Sequence, residues 1–388
     1  MREVVVRVDV EPDLLRWAAD RARWTDEVVN QKFPNYEDWT SGEAKPTLKQ
    51  LEKFAHATHV SLGFLFLPKP PQERVPIPDF RTMANASLTQ PSPDLLDTIY
   101  MCQKRQEWYR TYAAAHGYLP LDFVGSASTA DAVEPIADEI RKRIQFNLED
   151  RSAFPNWEAA LRQLIDLIES IGLLVMVNGV VGADTSRKLD PAEFRGFALS
   201  DELAPLIFVN GSDTKAAQIF TLVHELAHIW LGESALSDAQ MGGRTNNDHE
   251  LWCNRVAAEV LVPIATIGNE YSGDATTAEL ERLARFYRVS TLVVLKRLYD
   301  ANHFTWDDYR HRYGAEETRV IALLAARQGA GSGGNYYYTQ PIRLSRQFAR
   351  AVIADTFEGS TQYLDAYRLL GTAKPQTFDR LATELGVA

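Results

Sequence analysis

Two histidines four residues apart, set in an apolar stretch, constrain this 388-residue chain more than any other feature. Residues 224–228 read His224-Glu225-Leu226-Ala227-His228, and Glu250 follows. Side chains at i and i+4 of a helix share a face, so both imidazoles aim at one point. The flanking residues predict that helix: Ser212-Asp213 offers an N-cap and Gly232 a C-terminal stop. Ala217, Phe220, Thr221, His224, Ala227, His228 and Leu231 recur at helical spacing and make a stripe that faces a core. Core histidines need partners for their ring nitrogens. Two separately satisfied histidines are one solution. A shared metal ion satisfies both at once, and His-Glu-x-x-His on a well-capped helix favours it.

Zinc accepts two neutral imidazoles and one carboxylate, leaving a fourth position for water. Glu225, beside the first histidine, is placed to take a proton from that water. The third ligand has to come from Glu233, Asp248, His249, Glu250, Cys253 or Glu259. Asp248–Leu261 reads as a second helix, opened by Asn246-Asn247-Asp248 and stopped by Pro263. Glu250 and Glu259 lie about 180° apart on it at roughly 100° per residue, so only one can face the metal. Glu250 is favoured, because a loop of adequate length precedes it and small Ala257 and Ala258 permit close helix approach. Glu233 is too near His228 to fold back, and an isolated cysteine on an apolar face is more often core.

The stretch 220–228, Phe-Thr-Leu-Val-His-Glu-Leu-Ala-His, followed by Glu250-x-x-Cys253-Asn254-x-x-Ala257-Ala258-Glu259-Val260-Leu261-x-Pro263, resembles the ImmA/IrrE metallo-endopeptidases. The resemblance implies His224, His228 and Glu250 as zinc ligands and Glu225 as the base. Cys253, Val256 and Val260 stand where Ala, Phe and Leu are common in that family, which changes packing and leaves the chemistry alone. No oxyanion-stabilising residue is identifiable. Tyr336, Tyr337 and Tyr338 are conceivable, but an aromatic run is more often packing.

Residues 1–70 predict a separate unit of five short helices. Pro12 starts the first, Asp26–Lys32 and Tyr36–Ser41 follow, Thr47-Leu48-Lys49-Gln50 is a capping box for the fourth, and 61–67 make the fifth. This pattern resembles an Xre-type helix-turn-helix domain, whose third helix enters the major groove of DNA. Lys32, Asn35, Tyr36 and Lys45 are then the candidate contacts to double-stranded DNA. Charge works against that reading: residues 1–74 hold eleven Lys and Arg against twelve Asp and Glu, and Glu37 and Asp38 sit on the third helix. A protein-binding or dimerisation module is the alternative, and a homodimer stays open. The net charge of −11 confines any DNA binding to a local surface.

Pro68, Pro70, Pro71, Pro76 and Pro78 suggest a stiff linker over 71–90, ending in Pro78-Asp79-Phe80-Arg81-Thr82. Fusions of an Xre domain, a similar link and this peptidase domain are an architecture within the resembled family. Such fusions look like antitoxins encoded beside ribonuclease-type toxins. Connecting helices are expected over 91–150, one of them 92–118 with Ser92 as cap and another 135–146. A zincin-like core should occupy 151–270, with strands at 172–177, 194–200 and 205–209, and a helical extension 271–328. Residues 329–388 should form a C-terminal helical cap, in which Arg343, Arg346 and Arg350 line one helix. Gly329 to Gly334 formally match G-x-G-x-x-G but follow a helix and precede a tyrosine run, so they read as a connector.

The fold class expected is therefore α+β, predominantly helical, with a small β-sheet in the peptidase region. Only Cys102 and Cys253 are present, which argues against a disulfide framework and fits a reducing cytoplasm. No membrane span or signal peptide is evident. Three functions survive: a cytosolic zinc endopeptidase that cleaves a regulatory protein, a transcriptional regulator or antitoxin whose peptidase fold binds a partner such as a cognate toxin, and a hydrolase of small substrates. The last is least supported, since nothing suggests a closed small-molecule pocket.

Overall fold

The computed structural model describes residues 6–80, 91–237, 247–327, 336–372 and 374–387. Asn246, Arg81, Thr82 and the glycine run 329–334 lie outside the described residues, as do the side chains of Tyr336, Tyr337 and Tyr338. The chain divides into two compact units. The smaller comprises Met1–Pro76 with Leu88–Ile99, the larger Ile77–Ser87 with Tyr100–Ala388.

The smaller unit begins with α1 (Pro12–Arg21), α2 (Asp26–Lys32), α3 (Tyr36–Ser41), α4 (Leu48–Ala57) and a 3₁₀ turn at Leu62–Phe66. Sequence chemistry sets these boundaries. Pro12 opens α1, Gly42 closes α3 at φ +83°, and Thr47 with Gln50 caps α4 reciprocally. Leu14, Leu15, Trp39, Leu51, Phe54 and Leu65 make its core. Glu73 pairs with Arg21, so part of the stretch expected as a linker folds with this unit. Tyr36 corrects the set of candidate nucleic-acid contacts. Its ring is buried against Phe54 at 5.8 Å, and burial pushes its hydroxyl up to about 12. A one-turn helix needs a large apolar anchor, and Tyr36 serves as that anchor. Lys32, Asn35 and Lys45 are exposed, but Lys32 lies over the Trp24 ring and Lys45 pairs with Asp9, while Glu37 and Asp38 face solvent beside them.

Next come α5 (Pro93–Ala115), α6 (Val133–Arg143), α7 (Leu148–Ser152) and α8 (Trp157–Ser170). Strands follow: β1 (Leu174–Asn178), β2 (Val180–Val181), β3 (Asp184–Lys188), β4 (Gly196–Leu199) and β5 (Leu206–Asn210). Then come α9 (Lys215–Leu231), β6 (Ala235–Ser237) and α10 (Asp248–Leu261). The order of the main sheet is β1-β5-β4-β6, with β1 parallel to β5 and the other pairs antiparallel. A β2–β3 hairpin, whose β3 strand is mostly exposed and polar, stands apart from that sheet and was not foreseen in the sequence. Helices complete the unit: α11 (Ile264–Glu270), α12 (Thr277–Tyr287), α13 (Thr291–Asp300), α14 (Trp306–Arg327), α15 (Tyr336–Leu344), α16 (Arg346–Phe357), α17 (Tyr363–Leu370) and α18 (Pro375–Glu384). The whole is mostly helical with a small mixed sheet, an α+β arrangement. Among the described residues no single helix is long and apolar enough to cross a membrane.

Helix α9 is the centre of the larger unit. Every residue from Gln218 to Trp230 is buried, so the one-sided stripe expected from sequence gives way to a helix covered on all faces. It packs on β4, β5, α8 and α10. Each fully buried large apolar side chain here stabilises by about 1.5–3 kcal/mol. The cap also differs from expectation. Thr214, not Ser212 or Asp213, accepts the Ala217 N–H, because the Ser212 hydroxyl is used by the Gly179 carbonyl. Gly232 ends the helix at φ +72° as expected.

Glu169, near the end of α8, carries a pH dependence. Burial pushes its carboxyl up to about 7, and its Oε1 has no hydrogen-bond partner. Its unfolded value is about 4.3, so between the two the native state holds a proton that the unfolded chain has released. The stabilising contribution is complete below about pH 4 and is lost as pH rises through about 7. Glu169→Gln should therefore exceed wild-type stability by about 1–2 kcal/mol at pH 8 and match it near pH 4. Urea melts at the two pH values measure this, and a gap that does not change with pH would refute it.

Candidate metal centre

Helix α9 places His224 and His228 one turn apart, and α10, packed beside it, places Glu250 against them. Asn247 caps α10 by accepting the His249 N–H, which fixes Glu250 in the first turn. His228 Nε2 lies 3.2 Å from His224 Nε2 and 3.1 Å from Glu250 Oε1, and His224 Nε2 lies 3.3 Å from Glu250 Oε2. Two ligand atoms on a tetrahedral ion with bonds of about 2.0–2.1 Å lie about 3.3 Å apart. The three groups therefore fit one zinc-sized cation held by nitrogen and oxygen, a donor set suited to zinc.

The surroundings are dry. His224 and His228 are 0% exposed and Glu250 2%. Burial alone would raise Glu250, but the neighbouring His224 and His228 outweigh it and hold the carboxyl well below its usual range. Burial lowers His228, which favours the neutral imidazole that a metal requires. The Nδ1 atoms of both histidines are buried without hydrogen-bond partners. Glu233 Oε2 lies 3.9 Å from His228 Nδ1.

Glu225 is wholly buried beside the cluster. Burial, then the Glu250 carboxylate, push its own carboxyl well above the usual range. A carboxyl raised in this way holds a proton more tightly than an ordinary glutamate does. Its Oε2 accepts a hydrogen bond from Ser237 Oγ at 3.3 Å, and the same hydroxyl lies 3.3 Å from His228 Nε2. Ser237 ends β6, a three-residue strand without periodicity, so no pattern in the sequence marks it.

The other candidate ligands are elsewhere. His249 pairs with Glu233 at 2.7 Å, half exposed. Cys253 is buried in α10, and burial with the Glu250, Glu225 and Glu233 carboxylates keeps it a thiol. Glu259 faces the other way, paired with Arg297. Arg297 Nε also donates to the Val262 carbonyl at 2.8 Å, fixing the end of α10. A cavity of about 320 Å³ between α8 and α15, lined by Glu158, Arg162, Val177, Lys215 and Arg343 among others, has none of the cluster residues in its wall.

Gly196 on β4 lets the sheet approach α9. A Cβ there would stand 2.6 Å from Thr221 Cγ2, 2.8 Å from the Phe208 carbonyl oxygen and 3.1 Å from Glu225 Oε1. Backbone cannot yield, so Gly196→Ala should cost about 1–3 kcal/mol. Denaturant melts measure it, and an undisturbed midpoint would contradict this packing.

Residues 169–299 match the family model of the IrrE N-terminal-like domain, Peptidase_M78, which is a peptidase family. The matched span runs from the end of α8 through the sheet, α9 and α10 to α13, and so contains the whole cluster. Residues 344–384 match a domain of unknown function, DUF8813, which covers α16, α17 and α18. No curated protein matches the chain.

Proposed function

We propose that this protein is a zinc-dependent endopeptidase that cleaves a regulatory protein in the cytoplasm. One observation carries the reading: His224, His228 and Glu250 converge at 3.1–3.3 Å with a buried Glu225 next to them, inside a region matching a peptidase family. Zinc bound by His224, His228 and Glu250 would supply Lewis acidity toward the scissile carbonyl and the attacking water. Glu225 takes the proton of that water and later delivers it to the leaving amine. The Ser237 hydroxyl holds the Glu225 carboxylate in place through its hydrogen bond. Strand β6, which ends at Ser237, is the edge along which an extended peptide would pair, and pairing through backbone tolerates varied side chains. Metal analysis of the purified protein, with hydrolysis of unfolded casein before and after chelation, tests the reading. A metal-free protein, or turnover indifferent to chelation, would end it.

A second reading is a regulator or antitoxin of a toxin–antitoxin pair, in which the peptidase fold senses or binds a partner such as a cognate toxin. Two observations favour it. The smaller unit has its own core, as a binding module requires, and the centre is closed to solvent in this conformation. Lys32, Asn35 and Lys45 are the residues an Xre-type unit would offer to double-stranded DNA, against the opposing charge of Glu37 and Asp38. Binding to the protein's own promoter that weakens steeply with salt would support this role.

A further inference from the structure

The outer edge of β6 is already occupied by this chain. In an antiparallel pair, successive residues turn their backbone groups alternately toward and away from the partner strand. Ala235 and Ser237 pair with Ala198 and Gly196 of β4, so Leu236 is the residue of β6 whose backbone faces outward. Its N–H donates to the Pro78 carbonyl at 2.8 Å, and its carbonyl accepts the Phe80 N–H at 2.9 Å. Asp79 sits opposite Leu236 in a parallel bridge. Both outward groups of β6 are thus taken by residues 78–80.

These residues also reach the centre. The Phe80 ring lies 6.1 Å from the His228 ring and 6.1 Å from the His249 ring. One residue along β6 from Leu236, the Ser237 hydroxyl touches both Glu225 and His228. A peptide laid along β6 and led to the cluster would need the backbone of Leu236 and the space of Phe80. Two backbone hydrogen bonds to Leu236 and the half-buried Phe80 ring are among the contacts that hold residues 78–80, and Asp79, though exposed, also has a partner. Ile77, buried, anchors the segment at its start.

We infer that residues 78–80 are an intramolecular strap that competes with an extended peptide for the outer edge of β6, so that the centre is self-blocked until the strap lifts. This rests on the peptidase reading above for the identity of the competitor. The strap runs directly on from Pro76, the end of the first stretch of the smaller unit, so the segment that blocks the edge is covalently next to the proposed binding module.

The test uses the full chain, zinc-loaded, in two arms. The first measures binding of a fluorescein-labelled synthetic peptide of residues 74–80 to Glu225→Gln and to Phe80→Ala/Glu225→Gln. An edge closed most of the time weakens apparent affinity by its open fraction, so releasing the strap should tighten binding about tenfold or more. Phe80→Leu, which keeps an apolar side chain and the N–H, should give an intermediate value and guards against misfolding of the alanine variant. Equal affinities at unchanged zinc content and melting temperature, or no binding to either protein, overturn the strap. The second arm compares casein hydrolysis by wild type and Phe80→Ala, with a rise of several-fold expected. Hydrolysis by wild type that does not rise in Phe80→Ala also overturns the strap. Tightened peptide binding without hydrolysis by any form leaves the strap standing and removes the peptidase reading instead.

Discussion

Glu225→Gln should keep one zinc ion per chain and lower peptide hydrolysis by about 10²–10⁴-fold, the usual worth of a positioned general base. The substitution preserves shape, and the Ser237 hydroxyl can still donate to the amide oxygen of Gln. No metal-facing atom changes, since the cluster is built from His224, His228 and Glu250. What disappears is the group that accepts and returns a proton. Stability should hold or rise by about 1 kcal/mol, because a buried carboxyl already pushed upward is costly to ionise. Elemental analysis, turnover and melting on the same preparation separate these effects. Hydrolysis within a few-fold of wild type would remove Glu225 from the chemistry, whereas loss of zinc would show that the site had been misassigned.

The second large effect is structural. His228→Ala should empty the centre and lower the melting temperature of the larger unit by roughly 10 °C, on the scale of a buried charged group losing its partner. His228 Nε2 is the atom that meets His224, Glu250 and Ser237 together. Without it, the buried Glu250 carboxyl keeps one histidine in place of two, beside a new cavity. Chelation of wild type should give a drop of similar size, since an ion bound only by the native state stabilises by about 4 kcal/mol at a thousand times its dissociation constant. Calorimetry with and without chelator compares them. A variant that still binds zinc, or melts with wild type, would show that α9 and α10 do not depend on the cluster.

The centre was legible in the sequence for local reasons. A spacing of four on a helix is geometry, and the helix boundaries around it, Gly232, Asn247 and Pro263, are conformational chemistry that neighbours rarely override. Angular separation along α10 allowed only one of Glu250 and Glu259 to face the histidines, the preceding loop and small Ala257 and Ala258 favoured Glu250, and the structure puts the two on opposite duties. The small helices at the N-terminus were readable through Pro12, Gly42 and the Thr47–Gln50 box.

Non-local pairing was not legible. Strand β6 is three residues long, too short for an alternating pattern, so Ser237 carried no mark. Pro78 and its neighbours looked like a spacer because proline disfavours sheets, yet a carbonyl and the N–H two residues on suffice to pair with Leu236. Tyr36 read as a surface contact because six-residue helices show no usable periodicity, and only Phe54, eighteen positions away, reveals that its ring is core. The β2–β3 hairpin escaped because β2 is only two residues long and the exposed polar residues of β3 resemble a loop.

Helix α9, enclosed along thirteen consecutive residues from Gln218 to Trp230, leaves mutation almost nowhere to act silently. Drift in descendants of this chain should gather in outlying segments such as the β2–β3 ribbon. The two imidazoles would then travel through divergence inside a block of text that selection seldom edits, still recognisable after the rest has been rewritten.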